Sequence, residues 1–184
     1  MKFQDVNHDG KINGDDKVRM DKNGTPTFTG GVNINLQYKG FDLSVLVQGA
    51  TGGLQKIGLT ESGSIGNYLE WSYQKRWSID HPSSVYPRLS DSNSGATYFT
   101  TSASDNTYYV INSNYIRIKN VELGYTFPKQ WIQKLGLNSL RIYTNGINLA
   151  TFDKIKIWDP ESTNTNGQYY PQAKVINMGV KVTF

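Results

Sequence analysis

Cysteine is absent from all 184 residues, so no disulfide can staple the chain and no thiolate can hold a metal. Histidine is nearly absent. His8 and His81 are the only two, and neither stands beside a nucleophile or at metal-ligand spacing. No nucleophile elbow, phosphate-cradling glycine loop or zinc spacing occurs. Asp159 and Glu161 flank Pro160, and turn chemistry accounts for both. These absences read as a protein that is not an enzyme. No run of eighteen apolar residues exists, which excludes a transmembrane helix, and the first residues show no signal-peptide pattern. The net charge is only +4, and Lys and Arg are scattered rather than clustered, which argues against nucleic-acid binding.

What is present points to β-structure. Apolar residues make up only 37% of the chain, yet it carries 12 Tyr, 7 Phe and 4 Trp beside 18 Gly. Aromatic and β-branched residues separated by polar turn-formers imply an all-β protein with long loops. Outer-membrane β-barrels have such a composition, because the lumen face is polar and aromatic girdles ring both interfaces.

The last segment alternates cleanly. Ile176, Met178, Val180, Val182 and Phe184 share one face, and Asn177, Gly179, Lys181 and Thr183 share the other. Ending on an aromatic with no polar tail, the stretch around Val180, Val182 and Phe184 resembles the C-terminal signal of barrel proteins. Nearer the start, a two-residue turn at Lys39-Gly40 predicts a hairpin. It places Tyr38 opposite Phe41, Leu36 opposite Leu43, Ile34 opposite Val45 and Val32 opposite Val47, with Leu46 opposite Asn33 breaking the pattern. Between Tyr115 and Phe127 the apolar residues change parity, from Ile116 and Ile118 to Val121, Leu123, Tyr125 and Phe127, so a β-bulge is expected near Lys119-Asn120. A further strand over Leu140–Leu149 has apolar residues of both parities, and its faces stay unassigned.

Strands near 28–38, 41–50, 113–127, 140–150 and 174–184 are separated by connections of 2, 62, 12 and 23 residues. Short alternates with long, as in transmembrane barrels with tight periplasmic turns and long outer loops. Residues 1–27, 51–112 and 151–173 are then outer loops. Pro128 should open a helical turn that Gly136 closes. Leu69, Tyr73 and Trp77 should mark a short amphipathic helix in an otherwise irregular loop.

The sharpest local motif is the twelve-residue acidic loop from Asp5 to Asp16. Calcium takes six to eight hard oxygens, and an EF-type loop supplies them from fixed positions. Here these are Asp5, Asn7, Asp9, the Lys11 carbonyl, Asn13 (directly or through water) and Asp16, with Gly10 at the sharp bend and Ile12 turned inward. The last ligand is Asp, not the usual bidentate Glu. Such a site would order a loop. Of the loop aromatics, Trp71, Trp77 and Trp158 are the candidates to stack on a sugar or grip a peptide.

In order along the chain stand DVNHDGKINGDD, TFTGGVNINLQYKGFDLSVLVQG, Arg76-Trp77, YPRL at Tyr86–Leu89, NYIRIKNVELGYTFPKQW, LRIYTNGINLATF, WDPE around Asp159 and a terminal strand ending on Phe184. This ordered series resembles the SusC/RagA-type TonB-linked outer-membrane transporters of the Bacteroidetes. The resemblance implies about the last five strands of a 22-stranded barrel, without the signal peptide, the plug or the TonB-contacting segment. It further implies oligosaccharide or peptide uptake, a SusD-like surface lipoprotein as partner, energy relayed by TonB, and assembly by the barrel-assembly machinery. The lipid-facing residues would include Ile34, Leu36, Leu43, Val45, Val121, Leu123, Val180 and Val182. The alternative is a soluble extracellular calcium-dependent glycan-binding β-domain using the loop tryptophans.

Overall fold

Lys39 and Gly40 both adopt left-handed backbone, with φ of 46° and 88°, and so close a two-residue hairpin whose twist matches that of its strands. Only Gly suits the second position, because a Cβ there would lie 2.7 Å from the Thr126 carbonyl oxygen. The hairpin belongs to a computed structural model that describes residues 4–56, 70–84, 86, 107–157, 159–162, 170 and 172–184.

In chain order the strands are β1 (Phe28–Tyr38), β2 (Phe41–Thr51), β3 (Leu54–Lys56), β4 (Val110–Asn112), β5 (Tyr115–Thr126), β6 (Ser139–Asp153) and β7 (Val175–Thr183). Among the described residues there are also two short helices, α1 (Glu70–Lys75) and α2 (Lys129–Ile132), and brief 3-10 turns. The chain divides into two units. One comprises residues 26–53, 112–161 and 170–184 and carries an antiparallel five-stranded sheet in the order β1-β2-β5-β6-β7. The other comprises residues 1–25, 54–111 and 162–169 and includes the acidic loop, α1 and β3, which pairs with β4. The β3–β4 pair falls in the stretch expected to be irregular; three residues each are too short for an alternation signal.

The β1–β2 register matches the one expected from parity, pair for pair from Val32↔Val47 to Tyr38↔Phe41. Between β2 and β5 it shifts once. Leu46 pairs with Asn120 and Val47 with Ile118, which leaves Lys119 as the extra residue of a bulge. The same bulge passes into β6, where Asn120 pairs with Ile147 and Ile118 with Ala150, so Asn148 and Leu149 together stand against Lys119. One extra residue exchanges the faces of β5, whereas two extra residues return β6 to its original parity. Even-numbered residues of β6 on the two sides of the bulge therefore share one face, from Leu140 to Gly146 and again from Ala150 to Phe152. Leu149 confused the pattern because its side chain leans over Gly146: a Cβ on Gly146 would lie 2.6 Å from it.

Across the sheet the rows are apolar or aromatic except at Gly146 and Thr144. Ile34, Val45, Val121, Gly146 and Ile176 form one; Leu36, Leu43, Leu123, Thr144 and Met178 the next; Tyr38, Phe41, Tyr125, Ile142 and Val180 the third. All eight residues expected to face lipid thus lie on one side. That side is uncovered: Val32, Ile34, Leu36, Leu123, Val180 and Val182 are 41–63% exposed. Aromatics bound it at both ends. Near the tight turns, Phe41 and Tyr125 lie 4.6 Å apart, and Tyr125 meets Phe127 edge-on at 5.0 Å. At the far end stand Phe28 and Phe152, both more than 60% exposed. Phe28 and Tyr38 are ten residues apart on β1, about 33 Å along the strand or about 25 Å in height at a barrel-like tilt.

The connection after β5 behaves as its Pro and Gly suggest. Pro128 precedes α2, a 3-10 turn follows over Gln133–Leu135, and Gly136 ends it at φ 72°. Ile132 is the buried anchor of this short connection. No helix among the described residues is long and apolar enough to cross a membrane, which leaves strands as the elements that could.

Candidate functional site: the polar face of the sheet

The face opposite the apolar rows is polar and carries two charge clusters. The first lies near the tight turns. Arg141 on β6 directs its guanidinium across Gly124 to Asp42 on β2, donating from Nε to Oδ1 at 3.1 Å and from Nη2 to Oδ2. Its Nη2 also donates to Glu122 Oε1 at 2.8 Å. Gly124 sits between Asp42 and Tyr143 in register, and any Cβ there would collide with the guanidinium. The absence of a side chain is what lets Arg141 reach two strands away. In the same row the ring of Tyr143 lies over Gly179 for the same reason.

The second cluster lies at the loop end, where Gln48, Arg117 and Thr151 align. Arg117 is the most deeply buried large side chain among the described residues, at 1% exposure. Its Nη2 donates to both oxygens of Asp159, at 2.8 and 2.7 Å, and its Nη1 to Glu161 Oε2 at 2.9 Å and Gln172 Oε1 at 2.7 Å. Tyr115 donates its hydroxyl to Glu161 Oε1, and Gln48 Nε2 donates to the same oxygen at 3.2 Å. Lys119, the bulge residue, approaches Glu161 at 3.7 Å and donates to Gln172 at 3.3 Å. Two cations thus face two carboxylates. A bidentate Arg–carboxylate pair is the geometry that can repay desolvation; removing one partner of a buried pair costs about 3–5 kcal/mol.

This cluster corrects the reading of Asp159 and Glu161 as residues needed only by a turn. The turn bond does exist, since Glu161 N donates to Asp159 Oδ1 at 2.9 Å. The larger role is 42 and 44 residues away in sequence, on Arg117. One signal was available: Arg117 is an isolated cation between Ile116 and Ile118, on the parity that faces away from the apolar rows.

The acidic loop folds on its own amides. Asp5 accepts from the N–H of Asp9 at 3.2 Å and of Gly10 at 2.8 Å, Asn7 from Asp9 at 3.0 Å, and Asp9 from Lys11 at 2.8 Å. Asn13 accepts from Asp15 at 2.6 Å, and Asp16 closes the loop by accepting from Asn13 and Val6, both at 2.8 Å. Gly10 takes φ 80°, the bend its position requires. The donor set is chemically right for a hard cation, and a carboxylate holding two amides keeps lone pairs to spare. Among the described residues, however, no three Asp, Glu or His side chains converge on one point.

The tryptophans are not brought together by anything described. Trp77 lies past the end of α1 and is 40% exposed, beside Arg76, whose guanidinium stacks 3.8 Å from the Tyr73 ring centre. Trp158, the side chain of Trp71 and residue Leu69 lie outside the described residues.

No family model matches the chain. Among curated proteins it is 30% identical over 197 residues to TonB-dependent receptor P3 of Formosa agariphila, covering 99% of this chain and 19% of that protein. It is 24% identical over 190 residues to TonB-dependent receptor SusC of Bacteroides thetaiotaomicron, covering 99% and 17%. The chain thus spans about a fifth of the length of the curated relatives it matches. Two solved structures of the RagAB peptide importer share its fold: the open-open state with a TM-score of 0.67 and the closed-closed state with 0.70. Each is 25% identical and covers 95% of this chain and 19% of that one.

The acidic loop should respond to pH. The Asn13 and Val6 amides that donate to Asp16 hold its carboxyl below the ordinary carboxylate value. A lowered value means the closed loop is favoured above the ordinary carboxylate range and is lost as pH falls through the lowered one. NMR shifts of the Val6 and Asn13 amides should follow that acid transition, and Asp16→Asn should abolish it.

Proposed function

Because the chain belongs to the SusC/RagA type of TonB-dependent receptors, we propose that its five-stranded sheet is part of the wall of an outer-membrane barrel that imports a nutrient, an oligosaccharide or a peptide. The observation that carries this is the exposed apolar face, continuous over five strands and bounded at both ends by aromatics. In water such a face would have to be covered, whereas in a bilayer it meets acyl chains of the matching thickness. The soluble glycan-binding alternative requires a covering layer for that face.

On this reading the tight turns at Lys39-Gly40 and Pro128–Asn138 are periplasmic, and the long connections face outward. A SusD-like lipoprotein then cooperates at the outer side, TonB supplies energy through a plug, and the barrel-assembly machinery reads the terminal strand at Val180, Val182 and Phe184. Trp71, Trp77 and Trp158 in the outward connections contact the passing sugar or peptide. The protein carrying this chain should need detergent to stay monodisperse; a folded monomer in a detergent-free sizing run would overturn the barrel reading.

For the acidic loop the reading is a structural calcium held by Asp5, Asn7, Asp9, the Lys11 carbonyl, Asn13 and Asp16, supported by the ligand order and by the bend at Gly10. Binding would require the carboxylates to swing from their amides towards one centre. Calorimetric titration with calcium should give heat for the wild type and little for Asp9→Ala; equal, negligible heats would end the idea.

A further inference from the structure

We propose that the β5–β6 connection is a lipid-binding foot. Trp131 and Leu135 enter the boundary between headgroups and acyl chains, and Lys39, Lys129 and Lys134 bind the headgroups of anionic phospholipids in the leaflet that the tight turns reach. The proposal rests on the barrel-wall reading and deepens it by naming the lipid that the wall meets at that rim.

A continuous path of rings leads out of the apolar face into this connection. Phe41 and Tyr125, in the third apolar row, lie 4.6 Å apart. Tyr125 meets Phe127 at 5.0 Å, and Phe127 lies 6.5 Å from Trp131. Beyond these rings Ile132 turns inward and is 3% exposed, whereas Trp131 and Leu135 are 63% and 70% exposed. In water such a pair extends an uncovered apolar patch, but at the rim of a lipid-facing wall it has a matching solvent. An indole suits that depth, because its ring is apolar while its N–H can bond a headgroup.

The backbone keeps the two side chains outward. The Phe127 N–H donates to the Leu140 carbonyl at 2.9 Å and closes the base of the connection. On one flank the Thr126 N–H donates to the Gly40 carbonyl at 2.8 Å, and on the other the Asn138 N–H donates to the Thr183 carbonyl at 2.8 Å. The connection is thus tied to the hairpin turn before it and to β7 after it.

Charge selects the kind of lipid. Lys129 and Lys134 stand on either side of Trp131 in the chain, and the Thr126–Gly40 bond brings the Lys39 turn against the start of the connection. All three lysines are exposed. The Lys39 Nζ lies 5.2 Å from the Tyr38 ring centre, a cation carried on a rim aromatic. Residues 37–41 and 127–140 contain no Asp or Glu. Asp42, which follows the hairpin turn, belongs to the polar face, where Arg141 holds it. Three lysines beside a lipid face, with no acid in either turn, complement an anionic surface.

The test uses the full-length protein in phosphatidylcholine vesicles, with a bimane fluorophore on Leu135→Cys and, separately, on Leu123→Cys. Quenchers are doxyl-labelled phosphatidylglycerol, doxyl-labelled phosphatidylcholine and acrylamide in the water. Heat-modifiable gel mobility confirms assembly of each variant. At position 135 the doxyl lipids should quench and acrylamide should not. Phosphatidylglycerol should be favoured about fivefold over phosphatidylcholine at low salt, the scale of one lysine near an anionic surface. Salt should weaken that preference, and Lys39→Gln/Lys129→Gln/Lys134→Gln should remove it. Equal quenching by the two lipids, or a preference that survives the triple variant, would overturn the lipid assignment. Quenching by acrylamide alone would place the foot in water, and quenching by none of the three would mean that a protein partner or a second copy covers it; either result overturns the proposal. Lipid quenching at position 123 leaves the barrel-wall reading standing when position 135 fails, whereas acrylamide quenching at position 123 would overturn that reading and the foot with it.

Discussion

A strand has two faces, and a slip of one residue exchanges them. The whole sheet depends on how this exchange is managed at Lys119. β2 inserts no residue there, β5 inserts one and β6 two, so the apolar rows run unbroken past a defect that would otherwise turn half of β5 inside out. Val45–Val121 on one side of the bulge and Val47–Ile118 on the other keep the same orientation. With that continuity, one face can be almost wholly apolar, Thr144 apart, and the other can carry buried charge.

The polar face repeats one device. Small residues are placed so that large polar neighbours can lie flat across the strands. Gly124 admits the Arg141 guanidinium to Asp42 and Glu122, and Gly179 admits the Tyr143 ring. These side chains bridge strands laterally, adding ties to the backbone ladder without filling the space in front of the sheet. At the loop end the device changes. There the arginine is buried beneath a connection, and its carboxylate partners come from that connection and not from neighbouring strands. One cluster ties strands to one another and the other fastens a connection to the sheet.

Much of the sheet was legible because side-chain parity is a local signal. The hairpin register follows from four matched apolar pairs, and the bulge on β5 follows from one change of parity. The faces of β6 were not legible, because a two-residue insertion leaves parity intact while Leu149 leans over Gly146 and imitates a switch. Asp159 and Glu161 were misread for a related reason. Their turn role is local and visible, while their partner Arg117 is fixed only once β5 and the β6–β7 connection meet. The acidic loop shows the opposite limit. Its ligand order is plain in the sequence, yet the amides of the loop use the same carboxylates to close it.

The claim on which the account stands is that one continuous apolar face meets lipid through the parity change at Lys119. Nitroxide labels placed singly at positions 117, 118, 120, 121, 122 and 123 of the full-length protein in bilayers, read by oxygen against water-soluble relaxation agents, test it directly. The account predicts lipid contact at 118, 121 and 123 and none at 117, 120 and 122, so that the alternation breaks once, at the bulge. Uniform alternation through position 119, or equal water exposure at all six positions, would contradict it.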